Sequence, residues 1–263
     1  MKQIKQYSIQ ILGQDIWTGK IKPEWGDLFN KLQAFISDMG QREGIIKSYW
    51  EHLQWNWKQW ENAFVMSNIV YGHGIKIVDI GCGYMPLIRY FGSRGMEAYG
   101  FDLELDGPLS KNLYLRGGDK VLYENQNVLE IKCQDNTFDY VISISTLEHI
   151  YNSSFQTFGG KLSLIFPPIR RRLQFARLEK AFSEMVRILK PGGKLVATMD
   201  VGNNGIDQGV LHRLLGADII TLPGLDPIRS FWLSDHYYIG KNRYNTSKPR
   251  NYTAFGFVAE KIK

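Results

Sequence analysis

Hydrophobic residues along the chain form two patterns. Some are grouped in short apolar runs, and others recur at helical spacing over longer stretches. A β-branched run at 77–80, followed by glycines, predicts a buried strand and a tight turn. Positions 87–91 then recur at helical spacing, and Gly92 and Gly95 predict the end of that helix. A second strand is predicted at 98–102. This order of strand, turn, helix and strand predicts an α/β fold whose ligand lies at the carboxyl ends of the strands.

Apolar runs and helical repeats also occur over much of the remaining chain. Pro167 predicts the start of a long helix, because proline suits the first helical turn. The sequence Pro-Gly-Gly at 191–193 predicts a turn that leads into another strand. The predicted helices cover 23–40, 50–64 and 167–189, and the predicted strands cover 7–11, 138–145, 194–197, 230–240 and 252–262.

Two acids close to the first two predicted strands narrow the class of ligand. In a dinucleotide-binding fingerprint the third glycine falls at position 86, which is Pro86 in this chain. Asp79 lies shortly before the first glycine, where it repels phosphate and suits a cationic ligand. Asp102, roughly twenty residues further on, is placed to accept the hydroxyl protons of a ribose. A cationic nucleoside without phosphates, such as S-adenosyl-L-methionine (SAM), suits both acids.

At these positions the chain resembles the class I SAM-dependent methyltransferases. Asp79-Ile80-Gly81-Cys82-Gly83 is similar to the first motif of that family, and Gly100-Phe101-Asp102 is similar to the second. Segments 147–149 and 189–193 are similar to its Leu-Glu-His and Leu-Lys-Pro-Gly-Gly sequences, although Met85 replaces a glycine that many members have. The resemblance implies a Rossmann-like, seven-stranded, mostly parallel sheet with helices on both faces. It also implies SAM as cofactor and S-adenosyl-L-homocysteine as product.

The resemblance also implies a set of cofactor contacts. Asn127 stands where the family often has an acid that contacts adenine, and an amide oxygen can still accept from the adenine amino group. An ordinary loop asparagine is the alternative interpretation. Ser143 and Ser145 are expected beside the methionine end of SAM. The expected cofactor-binding residues are Asp79, Gly81, Cys82, Gly83, Asp102, Leu103, Asn127, Val128, Ser143 and Ser145, and no metal site is predicted.

His149, in the Leu-Glu-His segment, is the candidate catalytic residue. Its ordinary pKa lies near neutrality, so it is suited to take a proton from an acceptor hydroxyl or amine. A hydrogen-bonded structural histidine at a helix start is the alternative. The segment Ser143-Ile144-Ser145-Thr146 lacks the Asn/Asp-Pro-Pro-aromatic sequence of amino-directed nucleic-acid methyltransferases, and no cysteine lies at this strand end. Methylation of a flipped base is therefore disfavoured.

Six of the seven tryptophans precede residue 61, which separates an N-terminal segment, residues 1–66, from the predicted SAM-binding domain, residues 67–263. We predict that residues 1–66 form a helical cap, with Trp57 and Trp60 as candidate lid residues near the sulfonium. Packing of these rings between helices is the alternative. An insertion at about 151–172 is expected to carry substrate loops.

Whole-chain composition sets broad limits on partners and location. A net charge of +6 allows an anionic acceptor, and two cysteines with no long apolar run predict a cytoplasmic protein without a membrane span. The sequence predicts methyl transfer to an oxygen, nitrogen or carbon atom of a small metabolite or natural product. An RNA or protein methyltransferase and a non-catalytic SAM-binding module are the alternatives. The oligomeric state is left open.

Overall fold

A computed structural model describes residues 7–11, 23–43, 56–83, 86–105, 121–152, 167–202 and 252–261. Its strands are β1 (Tyr7–Ile11), β2 (Lys76–Ile80), β3 (Glu97–Asp102), β4 (Val121–Asn125), β5 (Phe138–Ile144), β6 (Leu189–Gly202) and β7 (Tyr252–Lys261). They form one seven-stranded sheet in the order β1-β7-β6-β5-β2-β3-β4. All neighbours from β6 to β4 pair in parallel, whereas β7 pairs antiparallel with both β6 and β1. The predicted mostly parallel α/β sheet is confirmed.

Within the described residues, five helices flank this sheet. They are α1 (Pro23–Glu43), α2 (Asn56–Ser67), α3 (Leu87–Ser93), α4 (Leu147–Asn152) and α5 (Pro167–Ile188). One apolar core includes residues of α1, α2 and α3 packed against strand residues such as Ile77 and Ile142, while the other places α4 and α5 against residues such as Val78 and Val141. Because neighbouring residues of β2 and β5 contribute to different cores, both faces of these strands are buried, as is usual for parallel sheets.

The N-terminal helices therefore share a core with the sheet. Phe29 and Leu32 of α1 and Phe64 of α2 lie in the same buried cluster as Ile77 of β2. The predicted lid residues Trp57 and Trp60 fall on positions whose side chains lie outside the described residues. Most of the predicted insertion lies outside them as well, since the description stops at Asn152 and resumes at Pro167.

Several boundaries differ from the sequence prediction. Helix α1 continues to Glu43, past the stop predicted near Gly40, because one glycine inside a helix costs only about 1 kcal/mol relative to alanine. The strand predicted at 230–240 lies outside the described residues. The N-terminal segment that was predicted to be extended forms strand β1, which pairs with β7.

The Pro-Gly-Gly sequence after α5 forms an irregular start to β6. Gly192 has a positive φ of 77°, and the pairing of β5 with β6 shifts register between Phe138 and Tyr140. A Cβ atom on Gly193 would lie 2.9 Å from the Lys190 carbonyl oxygen and 3.0 Å from that of Asp139. Only glycine therefore lets the two backbones approach here.

Ion pairs and hydrogen bonds hold the amino end of the sheet together. Arg187 of α5 donates at 2.9 Å to Glu184 and at 2.7 Å to Asp135. The same guanidinium donates at 2.7 Å to the carbonyl oxygens of Ile131 and Cys133. Glu184 is 7% exposed and accepts from the Ile131 amide at 2.9 Å. Each charge at this end is thus matched by an opposite charge or by backbone dipoles.

A second group of contacts at the amino end joins neighbouring strands. Lys190 donates to Asp139 at 2.8 Å, and Asp139 also accepts from the Lys76 amide at 2.8 Å. Lys261, at the end of β7, donates to the carbonyl oxygens of Val186 and Leu189 at 2.9 and 2.8 Å. These bonds tie the start of β2, β5 and β6 and the end of β7 to one another.

Candidate functional site

The glycine turn after β2 uses its own amide groups internally. The amides of Gly81 and Cys82 donate to the Phe101 carbonyl oxygen at 2.7 and 3.2 Å, and the Gly83 amide donates to Asp102 Oδ2 at 2.8 Å. Pro86, just before α3, has no amide hydrogen to offer. Phosphate-binding turns present unused amides to the ligand. The described part of this turn therefore lacks that feature.

Glycine at positions 81 and 100 is explained by close packing. Gly81 has a positive φ of 73°, and a Cβ atom there would overlap the side chain of Thr146. A Cβ atom on Gly100 would meet the ring of Tyr123 and would lie 3.0 Å from Cys82 Sγ. Cys82 is 1% exposed, so its side chain packs in the interior. Gly81 thus lets the end of β2 approach Thr146, and Gly100 lets β3 approach Tyr123 of β4.

Asp79 is the most perturbed acid of this crevice. It is 2% exposed, and its Oδ1 has no hydrogen-bond partner among the described residues. Burial, and then the negative charge of Asp102, raise the pKa of Asp79 to about 8. The carboxylate form is disfavoured because it has lost water and gained a like-charged neighbour. A cation bound beside Asp79 would favour its carboxylate form. Asp79 and Asp102 together therefore fit a positively charged ligand.

Two backbone amides orient Asp102 and leave it with further hydrogen-bond acceptor positions. Its Oδ2 accepts from the Gly83 amide at 2.8 Å and its Oδ1 accepts from the Glu104 amide at 3.3 Å. A carboxylate has about four acceptor positions, so about two remain for ligand hydroxyls. The two amides fix the orientation of the group before any ligand binds.

The end of β5 carries the predicted serines. The Ser143 hydroxyl is buried and donates to the Ile80 carbonyl oxygen at 3.2 Å, which ties β5 to β2. Ser145 has a positive φ of 48° and donates from its hydroxyl to Glu61 Oε1 at 2.7 Å. The next residue, Thr146, donates to the Gly81 carbonyl oxygen at 3.2 Å. The end of β5 is therefore bonded directly to the glycine turn.

The residues expected around adenine lie after β3 and β4. Leu103 is 66% exposed, which leaves an apolar side chain available beside Asp102. The Asn127 Oδ1 accepts from the Leu129 amide at 3.0 Å, so this oxygen caps a local turn and keeps one further acceptor position. Val128 packs partly buried against the core.

His149 lies in the short helix α4 directly after this strand end. Its side chain is exposed, and its backbone amide donates to the Thr146 carbonyl oxygen at 3.0 Å. The helix begins one residue after Thr146, the residue bonded to Gly81. His149 is therefore linked to the glycine turn through Thr146, which accepts from the His149 amide and donates to the Gly81 carbonyl oxygen.

Sequence analysis missed Glu61, Thr146 and Thr198 as residues of this region. Glu61 lies on α2, is 0% exposed, and accepts from Ser145 and, at 2.8 Å, from the Thr198 hydroxyl. The only signal for Glu61 was an acid two residues before the apolar segment Ala63–Met66. That signal does not identify a partner.

The fold and this crevice together define a class of protein. A mostly parallel sheet ends in an acidic crevice, and the described amides of its glycine turn are already used, as suits a cationic nucleoside. A family model described as a methyltransferase domain matches residues 26–221. The chain belongs to this methyltransferase domain family, which confirms the predicted methyltransferase family.

Individual relatives match over limited lengths. Phosphoethanolamine N-methyltransferase 2 of Caenorhabditis elegans is 27% identical over 129 residues, covering 48% of this chain and 24% of that protein. The Haemonchus contortus phosphoethanolamine N-methyltransferase 2, solved with SAM, has a TM-score of 0.46 and 19% identity, covering 78% of this chain and 52% of that one. The YcgJ protein of Bacillus subtilis has a TM-score of 0.47 and 12% identity, covering 77% of this chain and 98% of that one. This chain thus spans about a quarter and about half of the first two proteins.

Among the described helices, none combines the length and the apolar character needed to cross a membrane.

Proposed function

We propose that this protein transfers a methyl group from SAM to an oxygen, nitrogen or carbon atom of a small, anionic acceptor. The observation that carries the proposal is the buried Asp79, whose Oδ1 has no hydrogen-bond partner among the described residues and which lies beside Asp102. Two neighbouring carboxylates favour a cation and disfavour phosphate groups. The use of the Gly81, Cys82 and Gly83 amides within the protein supports the same conclusion.

Seven of the ten predicted residues would contact the cofactor directly. Asp102 would accept the ribose hydroxyl protons in charge-assisted hydrogen bonds, and Leu103 and Val128 would provide apolar contact to adenine. The second acceptor position of Asn127 Oδ1 would receive the adenine amino group. Asp79 and the end of β5, at Ser143 and Ser145, would face the positively charged part. Bound SAM supplies the electrophilic methyl group.

The protein's contribution to catalysis would be alignment and proton removal. Holding the acceptor against the methyl donor is worth roughly 7–11 kcal/mol of the barrier when the alignment is good. His149, exposed at the start of α4, would take the proton from an acceptor hydroxyl or ammonium. Residues 1–66 would help to cover the crevice, since α2 already reaches its edge through Glu61.

The acceptor class follows from charge and from one relative. The net charge of +6 suits an anion, and the C. elegans relative is a phosphoethanolamine N-methyltransferase. Phosphoethanolamine, an amine that carries a phosphate, is therefore the first acceptor to test. Ethanolamine is its matched control, because it has the same amine without the anionic group.

Calorimetric titration tests the cofactor assignment. We expect the protein to bind SAM and S-adenosyl-L-homocysteine and to bind neither NAD nor ATP. We expect Asp102→Asn to weaken SAM binding roughly 10- to 100-fold, because hydrogen bonds to a charged group are worth about 1.5–3 kcal/mol. Asp135→Asn, an exposed acid at the amino end, is the control and should bind SAM normally. Uptake of NAD or ATP in place of SAM would overturn the proposal.

A methyl-transfer assay separates the remaining functions. Transfer from SAM to phosphoethanolamine at a rate well above that to ethanolamine would establish a small anionic acceptor. Transfer to RNA, with affinity that falls steeply as salt rises, would indicate a nucleic-acid methyltransferase. SAM binding without transfer to a panel of small molecules, RNA and proteins would indicate a non-catalytic binding module.

A further inference from the structure

We propose that Glu61 is a positioning residue for the cofactor crevice, through which the N-terminal helix α2 sets the shape of the turn that follows β5. The inference rests on the proposed function, because the crevice in question is the one assigned to SAM. It adds a residue that lies outside the sequence motifs and 84 positions before its partner Ser145.

Glu61 is the centre of a closed set of hydrogen bonds. Its Oε1 accepts from the Ser145 hydroxyl at 2.7 Å and from the Thr198 hydroxyl at 2.8 Å. The Ser145 amide donates to the Thr198 carbonyl oxygen at 3.1 Å, which closes the ring of three residues. Glu61 and Thr198 are both 0% exposed. Water therefore competes little for these bonds, and the geometry of the ring is well defined.

The ring controls a strained part of the backbone. Ser145 has a φ of 48°, a left-handed conformation that is unfavourable for a residue with a Cβ atom. That conformation directs the chain from β5 into Thr146. The hydroxyl of Thr146 bonds to the Gly81 carbonyl oxygen at 3.2 Å, and its side chain occupies the space that a Cβ on Gly81 would need. A relaxed Ser145 would therefore displace Thr146 from the glycine turn.

Glu61 thus connects two parts of the chain that sequence analysis treats as separate. Helix α2 belongs to the predicted N-terminal segment, whereas Ser145 and Thr198 lie at the ends of β5 and β6. Two discrete bonds to one carboxylate oxygen make the order of α2 and the shape of the crevice interdependent. By linkage, cofactor binding should then stabilise α2 to the same extent that α2 strengthens cofactor binding.

The decisive experiment compares Glu61→Ala with Glu61→Gln in SAM titrations at a temperature where both variants are folded. Glutamine keeps a carbonyl oxygen that accepts both hydroxyls, whereas alanine accepts neither. We expect Glu61→Ala to weaken SAM binding about tenfold, the equivalent of one to two net hydrogen bonds. We expect Glu61→Gln to stay within about threefold of the wild type.

A matched control and a second readout separate positioning from general stability. Glu184→Ala removes another buried carboxylate, at the amino end of the sheet, and should lower the melting temperature while leaving SAM affinity unchanged. Hydrogen exchange should show that SAM slows exchange in residues 61–67 of the wild type and of Glu61→Gln. The same slowing should be absent in Glu61→Ala.

Each outcome decides between defined alternatives. Glu61→Ala binding SAM as tightly as the wild type would overturn the role of Glu61, and so would equal weakening by alanine and glutamine. If Glu61→Ala does not fold, Thr198→Val removes one of the two donors and should weaken SAM binding two- to threefold, by roughly half of a net hydrogen bond. Unchanged binding by Thr198→Val would then refute the inference. Absence of SAM binding in the wild type overturns the proposed function itself.

Discussion

The two ends of the sheet treat buried and partly buried charge in opposite ways. At the amino end, Glu184 and Asp139 each contact a cationic side chain as well as a backbone amide. At the carboxyl end, within the described part of the chain, Asp102 accepts from the backbone amides of Gly83 and Glu104, and Asp79 Oδ1 has no hydrogen-bond partner. The acids at the amino end stabilise the sheet through ion pairs, whereas Asp79 and Asp102 at the carboxyl end can interact with a cationic ligand.

This difference indicates which end binds a ligand. A buried carboxylate costs free energy unless a cation or hydrogen-bond donors compensate it. The raised pKa of Asp79 shows that this compensation is incomplete. A buried acid with a raised pKa beside a second acid, at the carboxyl end of a parallel sheet, is therefore a physical sign of a binding site. At the amino end, hydrogen bonding to Arg187 lowers the pKa of Glu184, as expected for a structural ion pair.

The largest expected contrast concerns two exposed histidines, one at each end. We expect His149→Ala to lower kcat by on the order of 10²–10⁴-fold and to leave the SAM dissociation constant unchanged, because a general base acts on the chemical step. His73, before β2 at the amino end, is the matched control, and His73→Ala should leave kcat unchanged. Both values are measured with an acceptor that the wild type methylates. Normal turnover by His149→Ala would remove His149 from the mechanism.

The next contrast is in stability. Arg187→Ala leaves the nearly buried Glu184 without its main cation, so we expect a loss of about 3 kcal/mol in the free energy of unfolding. Hydrogen bonding to Arg187 holds the pKa of Glu184 below its ordinary value, so this stabilisation is lost as the pH falls. Denaturant unfolding measures the loss. Lys180→Ala removes an exposed partner of the same acid and should cost less than about 0.5 kcal/mol.

SAM affinity should be unchanged by Arg187→Ala at temperatures where the variant is folded. The contacts of Arg187 all lie at the end of the sheet opposite to Asp79 and Asp102. Weaker SAM binding by this variant would show that the two ends are not independent, and the division of roles between them would be wrong.

A further contrast is the pH dependence at Asp79. Its folded-state pKa of about 8 lies above its ordinary value of 3.8, so the folded protein binds more protons than the unfolded chain between these values. Stability contributed at low pH is therefore lost as the pH rises from about 4 to 8. Asp79→Asn should remove this decline and unfold at a higher denaturant concentration than the wild type at pH 8.

The same variant should lose the pH dependence of cofactor binding. A bound cation favours ionised Asp79, so wild-type SAM affinity should rise with pH below about 8, by at most roughly tenfold per unit. Asp79→Asn should bind SAM more weakly and without this rise. Comparing the two proteins cancels titration of the ligand's own amino group. Parallel pH profiles for both proteins would exclude a cationic ligand at Asp79.

Local patterns predicted most of the described elements because they depend on neighbouring residues. The buried strand at 77–80 and the helix beginning at Pro167 were placed within one residue of the structure, since apolar spacing and proline act locally. The end of α1 lies beyond the stop predicted near Gly40, because one glycine costs a helix only about 1 kcal/mol. The partner of β1 was not predictable, since strand pairing joins segments far apart in the chain.

The sequence by itself determined the class of ligand, through two acids and a glycine turn whose spacing is a local property of one strand, turn and helix unit. Only the tertiary structure decided which groups surround those acids. The bond from Ser145 to Glu61 and the bond from Thr198 to Glu61 join residues 84 and 137 positions apart. Their meeting depends on how α2 packs against the sheet. Such packing is set by the summed burial of two whole faces, which no single motif encodes.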